Sequence, residues 1–284
     1  MTQSNSNLVV SAQWLHEHLN NADVVVVDCR FALSDPQQGR DQYLMGHIPG
    51  AYYLDLNQDL SSSVQIHGGR HPLPESQQLA AKLSRMGVNR ETFVVAYDDS
   101  QLAFAARLWW LLRYLEHPQA AVLDGGFAAY QANYPVTAVI PEPRRGKFLA
   151  SPQPEQLVDI QAVKRRKDQP GVVIVDSRAH DRYLGKHEPI DPVAGHIPGA
   201  VNYPWQSVTN EQGFLLSPDA LNAHYAELAN ASDRIVYCGS GVTACVNLLA
   251  LELAGIPGSK LYPGSWSDWC SYPLNVETNV RVGN

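Results

Sequence analysis

The segment Gly46-His47-Ile48-Pro49-Gly50-Ala51 returns intact as Gly195-His196-Ile197-Pro198-Gly199-Ala200, and an identity of that length within one chain is a mark of duplication. Its neighbours repeat in the same order. Upstream, Val25-Val26-Val27-Asp28-Cys29-Arg30 is answered by Val173-Ile174-Val175-Asp176-Ser177-Arg178. Downstream, Phe93-Val94-Val95-Ala96-Tyr97 corresponds to Arg234-Ile235-Val236-Tyr237, and Asp124-Gly125-Gly126-Phe127 to Tyr262-Pro263-Gly264-Ser265-Trp266. A chain of 284 residues is comfortable for two cores, since domains commonly run about 100–150 residues. The expected organisation is two similar units, residues 8–150 with a trailing linker and residues 151–284.

Within each unit, short β-branched runs alternate with longer stretches of helical periodicity, which predicts an α/β fold with a mainly parallel sheet flanked by helices. The predicted strands are Val24–Val27, Thr92–Tyr97 and Ala121–Leu123, then Val172–Val175, Arg234–Tyr237 and Lys260–Tyr262. The predicted helices are Glu75–Met86, stopped by Gly87, and Leu102–Leu115, then Pro218–Leu228 and Thr243–Ala254, with Ser217 and Gly255 as caps. Pro135, Pro141, Pro143, Pro152 and Pro154 are too dense for a helix or central strand and mark a surface linker.

A formal charge of −7 with no dense Lys/Arg run argues against nucleic acid or an anionic membrane as partner. No apolar run approaches the roughly 18 residues that span a bilayer. The segment Met1–Asn7 is polar and lacks the features of a secretory signal, so a cytoplasmic location is expected. Cys29, Cys238, Cys245 and Cys270 are few and irregularly spaced, which fits reduced thiols and neither a disulfide framework nor a zinc site; no metal and no cofactor are expected.

The stretch Ile235-Val236-Tyr237-Cys238-Gly239-Ser240-Gly241-Val242-Thr243-Ala244 reads as strand, tight loop and helix. Backbone N–H groups of such a loop and the positive end of the following helix favour an anion at the cysteine. Gly239 and Gly241 allow the curl, Ser240 and Thr243 offer hydroxyl donors, and Val242 belongs to the same loop. In the first unit the equivalent position holds Asp98, which has no thiol, so one unit is expected to be catalytic and the other not. Repetition assigns Asp28, Asp176, His47 and His196 to the scaffold, because they occur in both units. Cys245, two helical turns beyond Cys238, is expected to face the core.

The paired GHIPGA segments, the CGSGVTA loop and the GSW segment together resemble the tandem-domain rhodanese family over nearly the whole chain. That resemblance implies two rhodanese-like domains, a Cys238 persulfide intermediate, a small-molecule sulfur donor, and cyanide, a thiol or a thioredoxin-like protein as acceptor. It implies a donor-binding role for Arg182 and a cleft-facing Arg107, either of which could hold a donor carboxylate. His71 matches a histidine that works with the loop serine, here Ser240, in proton transfer, although the acidic partner's place is taken by Asn57. The neutral Gly239 and Ser240 resemble the loops of mercaptopyruvate-using members, whereas Asp191 stands where those members carry a second arginine and resembles thiosulfate-using ones. Two other classes remain for comparison. A phosphatase of related fold would need an arginine where Ala244 stands, and a binding or sulfur-relay module would have lost the nucleophile in both units.

Overall fold

The computed structural model describes residues 8–273; the polar segment Met1–Asn7 and the last part of the second unit, residues 274–284, lie outside the described residues. The first half runs β1 (Val9–Val10), α1 (Ala12–His18), β2 (Val24–Asp28), α2 (Gln38–Met45), β3 (Tyr52–Tyr53), α3 (Ser76–Arg85), β4 (Phe93–Tyr97), α4 (Ala105–Tyr114), β5 (Ala120–Leu123) and α5 (Gly126–Gln131). The second runs α6 (Ile160–Arg166), β6 (Val172–Asp176), α7 (His180–Tyr183), β7 (Val201–Asn202), α8 (Pro218–His224), β8 (Asp233–Tyr237), α9 (Ala244–Leu253), β9 (Lys260–Leu261) and α10 (Ser265–Trp269). Among the described residues these strands pair in parallel, in the orders β1-β5-β4-β2-β3 and β7-β6-β8-β9. Where the first sheet has β1 beside β5, the second has only an isolated parallel bridge from Leu157 to Leu261.

The two strongest repeats meet in space, which is why both halves contain them. Asp28 faces Tyr97 across β2 and β4, and Asp176 faces Tyr237 across β6 and β8. Each tyrosine hydroxyl donates to its aspartate, at 2.7 Å and 2.6 Å. Each aspartate also takes the guanidinium two residues on, Arg30 or Arg178, whose Nη2 continues to the carbonyl of Gly46 or Gly195 at 2.7 Å and 2.6 Å. His47 and His196 stack on Tyr43 and Tyr183, with Nδ1 at 2.8 Å from the carbonyl of the same tyrosine. These groups hold the turn in place, consistent with the scaffold assignment.

Helices α4 and α9, each following a β-strand and loop, pack against each other across the two halves. Residues 105–112 of α4 are all buried, as is most of α9, so one apolar cluster spans both halves. Burying each leucine there is worth about 1.5–3 kcal/mol, enough to make this contact part of the core. The proline-rich connection forms isolated bridges, from Thr137 to His47 and from Arg144 to Met86, and a 3-10 turn at Pro154–Gln156, and it seats Phe148 in the core.

Helix boundaries differ from expectation where side chains compete with the helix. The expected start at Leu102 moves to Ala105, because Gln101 and Leu102 adopt positive φ and Asp98 draws in the N–H groups of the first turn. The stretch Pro218–Leu228 divides into α8 and a short 3-10 turn at Ala226–Leu228. Ser217 caps α8 by accepting from Ala220 N–H, and Gly255 ends α9 at φ +76°. Helices α1, α2, α5, α6, α7 and α10 are short and carried no legible periodicity.

Candidate active site

Strand β8 delivers Cys238 to the carboxyl end of its sheet, the edge where parallel α/β sheets place their ligands. The loop from Cys238 to Thr243 is held on its far side by the start of α10. Cys238 N–H donates to Ser265 Oγ at 3.1 Å, Trp266 N–H donates to the Cys238 carbonyl at 3.0 Å, and Ser267 N–H to the Gly239 carbonyl at 2.9 Å. Cys238 itself is buried, as is Val242, while Thr243 is half-buried and is the residue on which α9 begins.

Gly241 sits at φ +75°, and a Cβ there would lie 2.3 Å from the Pro263 carbonyl oxygen. Backbone cannot yield cheaply at that contact. Gly241→Ala is expected to cost about 2 kcal/mol or more, from left-handed strain plus the clash, and to lower turnover by displacing the loop. A denaturant midpoint and donor turnover unchanged within error would contradict this.

Beside the loop, His71 Nδ1 lies 2.7 Å from Ser240 Oγ. Burial, followed by the nearby cations Arg107 and Arg70, lowers the His71 pKa to about 4, so its ring is neutral near pH 7. Among the described residues no carboxylate bonds to it, and Asn57 is exposed, so the relay there ends at the imidazole. The folded pKa lies below the ordinary 6.5, so the unfolded chain binds the proton more readily. The stability held by neutral His71 is present above pH 6.5 and is lost as the pH falls from 6.5 towards 4, by up to about 3 kcal/mol. His71→Asn is expected to flatten the unfolding free energy across that window; an acid limb as steep as the parent's would assign the loss to other groups.

Arg107 is wholly buried, and this differs from the expected cleft-facing side chain. Its Nη1 donates to the Gly241 carbonyl at 3.0 Å, and its Nη2 to the His71 and Leu60 carbonyls at 3.2 and 3.3 Å. It supports the loop and His71 from below, because α4 enters the shared core. Cys245 is likewise buried, with its thiol 3.5 Å from the Gly241 carbonyl and its pKa pushed up to about 12, mainly by burial. That matches the core-facing expectation.

Arg182 stands over the loop, but it is not a lone cation. Its Nε and Nη2 donate to Glu188 at 3.1 and 2.7 Å, and Nη2 also reaches Asp191 at 3.1 Å. Asp191 takes Arg70 Nη1 on its other oxygen. Sequence reasoning missed Arg70 and Glu188 altogether and read Asp191 only as a departure from a pattern. Nothing in spacing joins Arg70 to Asp191, since they come from different halves. Ser265 was missed too, although the repeat contains its signal. Gly126 at φ +58° and Ser265 at φ +56° occupy matching turns, and Phe127 N–H bonds the Asp98 carbonyl at 2.8 Å as Trp266 N–H bonds that of Cys238.

The first half shows what such a loop holds. Asp98, at the position matching Cys238, accepts from the N–H groups of Ser100, Leu102, Phe104 and Ala105 at 2.8–3.0 Å. Burial raises the pKa of this carboxyl, and the bonds from the Ala105, Ser100 and Phe104 N–H groups oppose the rise. The loop holds a carboxyl of its own there, and no sulfur nucleophile.

The rhodanese-like domain family matches this chain twice, over residues 11–133 and 159–272. A protein of Pseudomonas aeruginosa named probable 3-mercaptopyruvate sulfurtransferase is 44% identical over 271 residues, which cover 93% of this chain and 95% of that one. A Mycobacterium tuberculosis protein named putative thiosulfate sulfurtransferase SseB is 36% identical over 281 residues, covering 95% and 96%. The crystal structure of SseA from Escherichia coli, described by the rhodanese fold and catalytic mechanism of 3-mercaptopyruvate sulfotransferases, superposes with a TM-score of 0.81 at 33% identity, covering 92% of this chain and 99% of that one. With both matched segments folded as parallel sheets and a cysteine loop completed in the second, the chain belongs to the rhodanese family as a tandem-domain sulfurtransferase.

Proposed function

We propose that Cys238 carries sulfur as a persulfide between a small anionic donor, 3-mercaptopyruvate in the first instance, and a thiol, cyanide or thioredoxin-like acceptor. The observation that supports this best is the assembly of Ser240, His71, Arg182 and Arg70 around the one loop whose anchor residue is a thiol. Residues 151–284 form the catalytic unit in this reading, and residues 8–150 the non-catalytic one that lends His71.

In the first half-reaction the Cys238 thiolate attacks the donor sulfur and a sulfur–sulfur bond forms. The carbon–sulfur bond breaks, its electron pair leaves with carbon, and the donor's thiol proton ends on that carbon to give pyruvate. In this reading Ser240 passes that proton, which its hydrogen bond to neutral His71 supports. Loop N–H groups stabilise the terminal sulfur anion. In the second half-reaction the acceptor attacks the terminal sulfur and Cys238 leaves as thiolate, so ping-pong kinetics follow.

The alternative donor is thiosulfate, favoured by Asp191 standing in place of a second arginine on its own segment and by the name of the Mycobacterium relative. Steady-state transfer to cyanide from each donor side by side tests both readings. A higher kcat/KM with thiosulfate would replace mercaptopyruvate as the donor, and no persulfide on Cys238 by mass spectrometry after incubation with either would leave a binding or relay module.

Among the described residues no helix is long and apolar enough to cross a membrane. A reducing, cytoplasmic setting belongs to the proposal and is supported by four free cysteines.

A further inference from the structure

Arg70 and Arg182 reach one point of the loop from opposite halves of the chain. Arg70 Nη2 lies 2.9 Å from where a Cβ on Gly239 would stand, and Arg182 Nη2 and Nη1 lie 3.5 and 3.6 Å from it. The Asp191 carboxylate, nearly inaccessible, bridges them by taking Arg70 on one oxygen and Arg182 on the other. Glu188 takes the remaining inward face of Arg182. What is left free is informative: among the described residues, Arg70 Nε and Nη2 and Arg182 Nη1 have no protein partner. Their side chains are 30% and 17% exposed, so a small molecule at the loop can reach both.

We propose that Arg70, a residue of the non-catalytic half, binds the acid group of the sulfur donor jointly with Arg182, and that Asp191 positions the pair and sets its charge. This deepens the sulfurtransferase reading and rests on it. Gly239 is part of the same device. A side chain there would start 2.9 Å from Arg70 Nη2 and displace that guanidinium, so the bare glycine leaves the place over the loop to a cation from the other half. Charge decides the donor class. Arg70, Arg178 and Arg182 are matched by Asp176, Glu188 and Asp191, so the cluster is neutral before the donor arrives. Two planar guanidinium groups with free N–H donors suit one carboxylate through directed hydrogen bonds, and with no net positive charge to spare in the cluster each further negative charge on the donor is disfavoured. The clamp therefore selects a monoanionic 2-oxo acid over a sulfur dianion.

Steady-state sulfur transfer to cyanide by the full chain, with 3-mercaptopyruvate and thiosulfate as separate donors, tests this. Arg70→Gln is expected to raise KM for mercaptopyruvate about 10- to 100-fold with kcat changed far less, the loss of one charge-assisted bond to bound donor. Arg70→Lys, which keeps the charge and loses the planar fork, is expected to recover part of that loss. Asp191→Asn, by freeing one positive charge, is expected to shift the thiosulfate-to-mercaptopyruvate ratio of kcat/KM about tenfold towards thiosulfate. An Arg70→Gln enzyme with KM within twofold of the parent, or with the loss confined to kcat, overturns the clamp while the parent's activity leaves the sulfurtransferase reading standing. A parent inactive with both donors overturns that reading instead. If Arg70→Gln loses its native thermal transition, the Arg70→Lys and Asp191→Asn results decide.

Discussion

Cys238→Ser is expected to reduce sulfur transfer from either donor by at least ~10³-fold, to the background of the cyanide reaction, while the unfolding midpoint stays close to the parent's. The hydroxyl is nearly isosteric with the thiol and Cys238 N–H keeps its bond to Ser265, so the loop has no reason to refold. What disappears is the sulfur to which the proposed persulfide would be bonded. The other thiols cannot replace it: Cys245 and Cys29 are buried with raised pKa values, and Cys270 is pushed up to about 11 chiefly by burial. Mass spectrometry of donor-treated protein provides a second readout, one added sulfur on the parent and none on the variant. Retained turnover in Cys238→Ser would mean that sulfur passes directly from donor to acceptor.

Arg178→Met is expected to destabilise the protein by about 3–5 kcal/mol, because it removes one partner of a buried ion network and leaves the others charged in place. Arg178 is essentially inaccessible and donates to Asp176, to Glu188 at 3.2 Å and to the Gly195 carbonyl at 2.6 Å. The same change also loosens Glu188, which holds Arg182, so KM for the donor should rise with the loss of stability. An exposed pair gives the contrast. Asp168→Asn, which breaks the surface contact to Lys167, is expected to cost less than about 1 kcal/mol. Denaturant midpoints for the two variants check this, and a similar cost for both would contradict the burial argument.

Internal repetition made the architecture legible. Two copies of Asp-x-Arg and of GHIPGA predicted two matching sheets, and the structure shows the two motifs bonded to each other in each half. The same comparison singled out the loop, since Asp98 and Cys238 end equivalent strands and only one can carry sulfur. It also assigned His47 and His196 correctly, because a residue needed in both halves serves what both halves share. Short helices such as α7 and α10 escaped notice because fewer than two turns give no periodic pattern.

The duplicated α/β fold, the cysteine loop and its uncharged residues are all written in local order or in the spacing of one copy against the other. Only the tertiary structure decided what surrounds the sulfur. Arg107, expected in the cleft, lies beneath the loop because α4 is buried against α9, and Arg70 stands over Gly239 because the first half docks on α10 through Arg70 N–H and Ser267 Oγ at 3.1 Å. Asp191, which looked like a missing cation, became the bridge between two. Such pairings join residues more than a hundred positions apart, and their energy depends on burial and distance, neither of which a linear pattern contains.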